Sequence, residues 1–134
     1  MPTRQSPGLH SLSNSSYAWL ASKGSWGWSN AGLIVDGEES LLVDTLFDLA
    51  LTEEMLRSMR DAEPLANNID TLVNTHANGD HCHGNALVSG AEIIASTASI
   101  QEMNELPPEA MAAIMGSAQD MGTVGEYFLH CFGQ

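Results

Sequence analysis

The chain reads as an α/β domain, a mixed sheet flanked by helices, and three observations predict it. Gly32 to Val35, Leu41 to Val43 and Ile69 to Val73 are short apolar runs rich in β-branched residues, the composition of buried strands. Between the last two runs, Leu51, Met55, Leu56 and Met59 fall at helical spacing. Strand, helix and strand at this separation make a βαβ-like unit, which delivers a polar loop to the carboxyl end of its second strand.

The 134 residues suit one domain with a core of its own. Seventeen Asp and Glu against four Lys and Arg give a formal charge of −13, which argues against nucleic acid and against anionic membranes as partners. No apolar run is long enough to span a bilayer, and Met1 to His10 has Arg4 but no apolar segment after it, so neither a transmembrane helix nor a secretory signal is expected. Cys82 and Cys131 are too few for a disulfide framework and form no Cys-x-x-Cys pair, which leaves little support for a redox role. The expected location is cytoplasmic, with both thiols reduced.

Residues 1–16, rich in Ser, Pro and Gly, are expected to form a loose tail ahead of a domain over 17–134. Tyr17 to Ala21 reads as a first strand. Lys23 to Ser29 is a Gly/Ser loop carrying Trp26 and Trp28, large rings better suited to packing on the core than to contacting substrate. The next two strands pair as a hairpin across Asp36-Gly37. Thr52 is the expected N-cap of a helix running to about Arg60, with Glu53 and Glu54 favoured by the positive end of its dipole. Glu63-Pro64 ends that helix. Beyond the second βαβ strand the pattern predicts a short helix over His81 to Val88, a strand over Ala91 to Ala95, and a helix over Ser99 to Leu106. A further helix begins at Pro107 or Pro108 and buries Met111, Ile114 and Met115.

The chemistry concentrates in Asn74 to Asn85, which holds His76, His81, His83, Asp80 and Cys82. A tight turn at Asn78-Gly79 folds the loop so that His76, Asp80 and His81 converge. Imidazole and carboxylate are good ligands for zinc and its first-row neighbours. Cys82 reads as a small buried residue at a helix start. His83 reads as wall, although a bend in the loop would let it supply an imidazole.

Thr75-His76-Ala77-Asn78-Gly79-Asp80-His81-Cys82-His83-Gly84-Asn85 resembles the signature loop of the metallo-β-lactamase fold superfamily, His-x-His-x-Asp-His preceded by Thr and followed by x-x-Gly-Asn. Asn30 to Val35 and Ser40 to Thr45 resemble the family's first hairpin, which ends in Asp-Thr. The resemblance implies the N-terminal half of an αββα sandwich. The family's later ligands, a histidine, a bridging carboxylate and a last histidine, have no clear counterpart here, and His130 does not sit in a ligand loop.

That resemblance implies a zinc-dependent hydrolase holding one or two ions, or another first-row divalent metal. The metal would activate water against an ester, thioester, lactone or similar bond of a small-molecule substrate. His76 would belong to the first metal site, Asp80 and His81 to the second, with Asp80 also orienting the attacking water. Asp44 would support a ligand imidazole from behind. Asn78 stands where the family has its second histidine and offers only a neutral amide oxygen, a poor ligand. A half-sandwich also leaves one apolar sheet face open, at a cost of roughly 25 cal/mol per Å². Self-association or a missing C-terminal half would cover it. The alternative function is a non-catalytic or truncated half-domain that binds one metal or a partner chain.

Overall fold

The computed structural model describes residues 6–22 and 28–132, with the side chains of 127, 128 and 130–132 left aside. Among these residues six strands form one mixed sheet in sequential order. Gly8–Ser13 (β1), Ser16–Leu20 (β2), Ala31–Asp36 (β3) and Glu39–Val43 (β4) run antiparallel, each to the next. Thr71–Val73 (β5) and Glu92–Ile94 (β6) add parallel to β4. The α/β class and the βαβ-like unit are therefore as the sequence predicts.

Residues 8–16 are not a loose tail. β1 pairs with β2 from Gly8↔Leu20 to Ser13↔Ser16, and Leu9 packs against the core opposite Trp19. Ser and Gly lower strand propensity, but the ladder and one well-placed apolar side chain override that local preference. The hairpin turn is shifted by one residue: Asp36 pairs with Glu39, so Gly37-Glu38 makes the loop and Gly37 adopts φ 62°.

The connection between β4 and β5 is the helix Leu49–Ala62 (α1). Its N-cap is Asp48, whose carboxylate accepts from the Leu51 amide at 2.7 Å, rather than Thr52. Thr52 is fully buried one turn in, where its hydroxyl accepts from the Leu46 amide at 3.1 Å. Met55, Leu56 and Met59 are fully buried against Leu33, Leu42 and Leu72 of the sheet. Each such side chain contributes about 1.5–3 kcal/mol of hydrophobic stabilisation.

Alternation along the strands sends Leu33, Val35 and Leu42 towards α1, and Gly32, Ile34, Leu41 and Val43 to the other face. Ile34 is 48% exposed there, and Ile94 of the edge strand likewise 48%. This is the open apolar face that a half-sandwich implies.

After β5 come a one-turn helix Gly79–Cys82 (α2), a 3-10 turn Asn85–Val88, β6, and the helices Thr97–Glu105 (α3), Pro108–Gly116 (α4) and Gly122–Phe132 (α5). Ser96 caps α3 by accepting from the Ser99 amide, three residues ahead of the expected start. Met111, Ile114 and Met115 are not core: α4 has no buried residue and packs with α5 and the 3-10 turn Ala118–Met121 rather than on the sheet. Its apolar residues surround the helix instead of forming one stripe, so spacing alone carries no information about what they face. α5 was not legible because its first turn holds two glycines, poor helix formers. No described helix is long and apolar enough to cross a membrane.

Candidate metal centre

β4 and β5 lie side by side and parallel, so their carboxyl ends deliver two segments to the same edge: Asp44-Thr45-Leu46-Phe47 and Asn74-Thr75-His76. Asp44 leaves β4 with φ 63°, a left-handed conformation that Asp tolerates better than most residues. The turn drives its carboxylate inward, where it is 3% exposed. One oxygen, Oδ1, accepts from the Thr75 amide at 2.7 Å; Oδ2 accepts from the Thr75 hydroxyl at 2.6 Å and meets His81 Nδ1 at 2.8 Å.

These contacts fix the tautomers. A carboxylate only accepts, so the proton between it and His81 sits on Nδ1, and in the neutral ring the lone pair is on Nε2. Thr75 spends its hydroxyl proton on Asp44, so towards His76 Nδ1, 2.9 Å away, it can only accept. His76 therefore also carries a proton on Nδ1, and its neutral ring has the lone pair on Nε2. One buried carboxylate presets both imidazoles, directly and through a threonine. The two rings lie 4.3 Å apart between centroids, tilted by 35°.

Asp44, His76 and His81 form a candidate metal-binding triad, with one ligand atom from each within 4.8 Å of the others. Within that triad Asp44 is better suited to orienting than to ligation, because three donors already occupy its two oxygens. Asp80 approaches from the other side, with Oδ2 3.6 Å from His81 Nε2. Two imidazole lone pairs with a carboxylate beside one of them are a donor set that fits zinc or a similar divalent ion.

A buried amide network holds the loop from beneath. Asn74 and Asn85 exchange hydrogen bonds at 2.7 and 3.2 Å, and the Thr45 hydroxyl donates to Asn85 Oδ1 at 2.8 Å. The His81 carbonyl accepts from Asn74 Nδ2 at 3.0 Å and from the Thr45 amide at 3.0 Å. Ser29 donates its hydroxyl to the Asp80 carbonyl. Gly84 sits against Thr52, so closely that a Cβ there would overlap the threonine side chain. These anchors went unread in the sequence, since nothing in the spacing of Ser29, Thr45 or Thr52 relates them to the loop. Asn85 was visible only as part of the motif.

The remaining loop residues play different parts. Asn78 is exposed and occupies the N-cap position of α2; its carbonyl accepts from the His81 amide at 2.9 Å and its side chain makes no capping bond. Cys82 is buried, with its thiol directed at the Ala77 and Asn78 carbonyls, which agrees with its reading as a packing residue. Burial, with added repulsion from the Asp44 and Asp80 carboxylates, pushes that thiol up to about 11. His83 lies outside the triad, its ring over Gly79 and 5.5 Å from the Phe47 ring. Burial holds the His83 imidazole below its ordinary value, against smaller opposing effects from a backbone hydrogen bond at Phe47 and the carboxylates of Asp80 and Glu109. Trp28 lines a cavity of about 190 Å³ with Trp19, Leu46 and Leu51, while Trp26 lies outside the described residues.

Comparison with known proteins bears on the fold and the family. The chain is similar to a metallo-beta-lactamase from Hirschia baltica, with 23% identity and a TM-score of 0.59 over 75% of this chain and 48% of that one. One from Erythrobacter litoralis shares 27% identity with a TM-score of 0.56 over 76% of this chain and 45% of that one. One from Pseudomonas aeruginosa, solved in a mono-zinc form, shares 23% identity with a TM-score of 0.55 over 81% of this chain and 48% of that one. The chain thus spans about half the length of the solved structures it matches. No curated protein matches it significantly. The sequence profile of the Metallo-beta-lactamase superfamily matches residues 24–126, and the chain belongs to that superfamily.

Proposed function

We propose that this chain carries the metal-binding half of a zinc-dependent hydrolase. The observation that carries the reading is the pair of imidazoles, His76 and His81, both preset by Asp44 to offer Nε2. Asp80 completes the donor set beside His81. A bound divalent ion would supply Lewis acidity, lowering the pKa of water and polarising the carbonyl or phosphoryl oxygen of a substrate. The chain's own part is to hold that ion with His76, Asp80 and His81, to keep the ligand rings from rotating through Asp44 and Thr75, and to orient the attacking water through the free carboxylate oxygen of Asp80. The mono-zinc form of the Pseudomonas aeruginosa neighbour supports zinc as the ion. The substrate is a small molecule with an ester, thioester, lactone or similar bond, and the fold does not choose among these.

Asn78 in place of an imidazole and the half-length match support a second reading, in which the chain alone binds metal without turning over substrate. The open face around Ile34 and Leu41 would then be covered by a second copy or by a complementing C-terminal half. A panel of p-nitrophenyl esters, thioesters and lactones, assayed with zinc, after chelation and after zinc is restored, separates the two. Turnover that follows the zinc supports the hydrolase; zinc binding without turnover of any panel member supports the half-domain.

A further inference from the structure

On the basis of the metal site proposed above, we infer that His83 is a positioning residue. Its ring, lodged between Phe47 and Gly79, sets the Asn78-Gly79-Asp80 turn so that Asp80 faces His81. Three observations place it there. A Cβ at Gly79 would overlap the ring, falling 2.6 Å from Nδ1 and 2.8 Å from Nε2, so the imidazole rests directly on the turn. The His83 amide donates to the Gly79 carbonyl at 2.9 Å, closing α2 over the same glycine. On its far side the ring meets Phe47 at 5.5 Å and 45°.

Phe47 belongs to the segment that carries Asp44, and Gly79 to the turn that carries Asp80. His83 therefore spans the two segments that must be in register for the orienting carboxylate and the ligand carboxylate to act on the same histidine. The turn needs such a support. α2 has four residues and no side-chain cap at Asn78, too short a helix to hold its own geometry. Asp80 is tied by its carbonyl to Ser29, and among the described residues its carboxylate meets His81, Oδ2 lying 3.6 Å from Nε2. The ring at 83 supplies that support, and a side chain at 79 would displace it. On this account what matters at 83 is an aromatic ring, not an imidazole lone pair.

Cobalt(II) titration tests this, since its visible absorption reports the ligand set as well as the affinity. The full chain is compared with His83→Ala, His83→Phe and Gly79→Ala, each checked for folding by circular dichroism. His83→Ala is expected to weaken cobalt binding by about ten- to a hundredfold, the range for groups that orient ligands. Gly79→Ala should fall in the same range. His83→Phe keeps a ring against Phe47 and Gly79 and should recover most of the loss with the wild-type spectrum. A His83→Phe protein that binds as weakly as His83→Ala with a changed spectrum would make His83 a ligand and overturn the inference. So would a folded His83→Ala protein that binds as tightly as wild type. Should His83→Ala fail to fold, the His83→Phe spectrum and affinity decide the matter. A wild-type chain that takes up no cobalt overturns the metal site itself, a result distinct from any difference among variants.

Discussion

Replacing Asp44 by asparagine removes one charge and keeps the shape, yet it should invert the site. Asn tolerates the left-handed φ of 63° as well as Asp does, so the backbone is undisturbed. The amide has one acceptor oxygen and one NH₂ group. The Thr75 amide, a fixed donor 2.7 Å from Oδ1, obliges the oxygen to stay there. The NH₂ group then takes the place of Oδ2 and becomes the donor towards the Thr75 hydroxyl and His81 Nδ1. His81 must move its proton to Nε2, which removes the lone pair a metal would use. Thr75, no longer donating to residue 44, turns its proton towards His76 Nδ1 and pushes His76 into the same wrong tautomer. Loss of an orienting group costs about ten- to a hundredfold in metal affinity, or roughly 1.4–2.7 kcal/mol. With both histidines affected, the upper end is expected. Zinc competition against a chromophoric chelator gives the affinity, and long-range nitrogen–proton NMR of the imidazoles gives the tautomers. An Asp44→Asn protein that binds zinc as wild type does, with both protons still on Nδ1, would refute the tautomer argument.

Other perturbations have equally definite outcomes. Asn78→His restores the imidazole that the family motif carries at an exposed position of the loop, and should tighten zinc binding by at least tenfold in competition titration; unchanged affinity would show that residue 78 does not reach the ion. Gly84→Ala drives a methyl group into buried Thr52 and should cost about 1–3 kcal/mol in urea unfolding, with a midpoint unchanged from wild type counting against the packing described. Cys82, studied in a Cys131→Ser background, should react with iodoacetamide at pH 8 about a hundredfold more slowly than in urea, since its thiol is raised from 9.0 to about 11. The raised thiol means the folded state holds its proton longer, so this contribution to stability is complete below pH 9 and is lost as pH climbs through about 11. Rapid labelling at pH 8 without denaturant would place Cys82 at the surface.

The parts of the fold that were legible are those with a strong local period. β3, β4 and α1 each show an apolar pattern that only one element satisfies, and Asn74 to Asn85 declares itself by composition. β1 is not legible because its Ser-rich sequence gains its strand character from pairing with β2. Thr52 reads as a cap because a threonine before two glutamates fits that role locally, whereas its buried position against Gly84 depends on contact across 32 residues of chain. That Met111 and Met115 are only half-buried and Ile114 is exposed is illegible for the opposite reason: apolar residues specify burial only if a partner surface is available. At the site, the sequence identifies the groups that could bind metal, but the Asp44–Thr75–His76 relay needs the parallel register of β4 and β5 to exist at all. Long-range register, not residue type, makes Asp44 the organiser of both histidines.

The most direct test of the metal centre is the metal content of the chain, purified without chelators or a histidine tag, by elemental analysis beside His81→Ala and Asp80→Ala. About one zinc or similar divalent ion per wild-type chain is expected, absent from His81→Ala and strongly reduced in Asp80→Ala. A wild-type chain that holds no metal, or His81→Ala protein that holds as much as wild type, would contradict it.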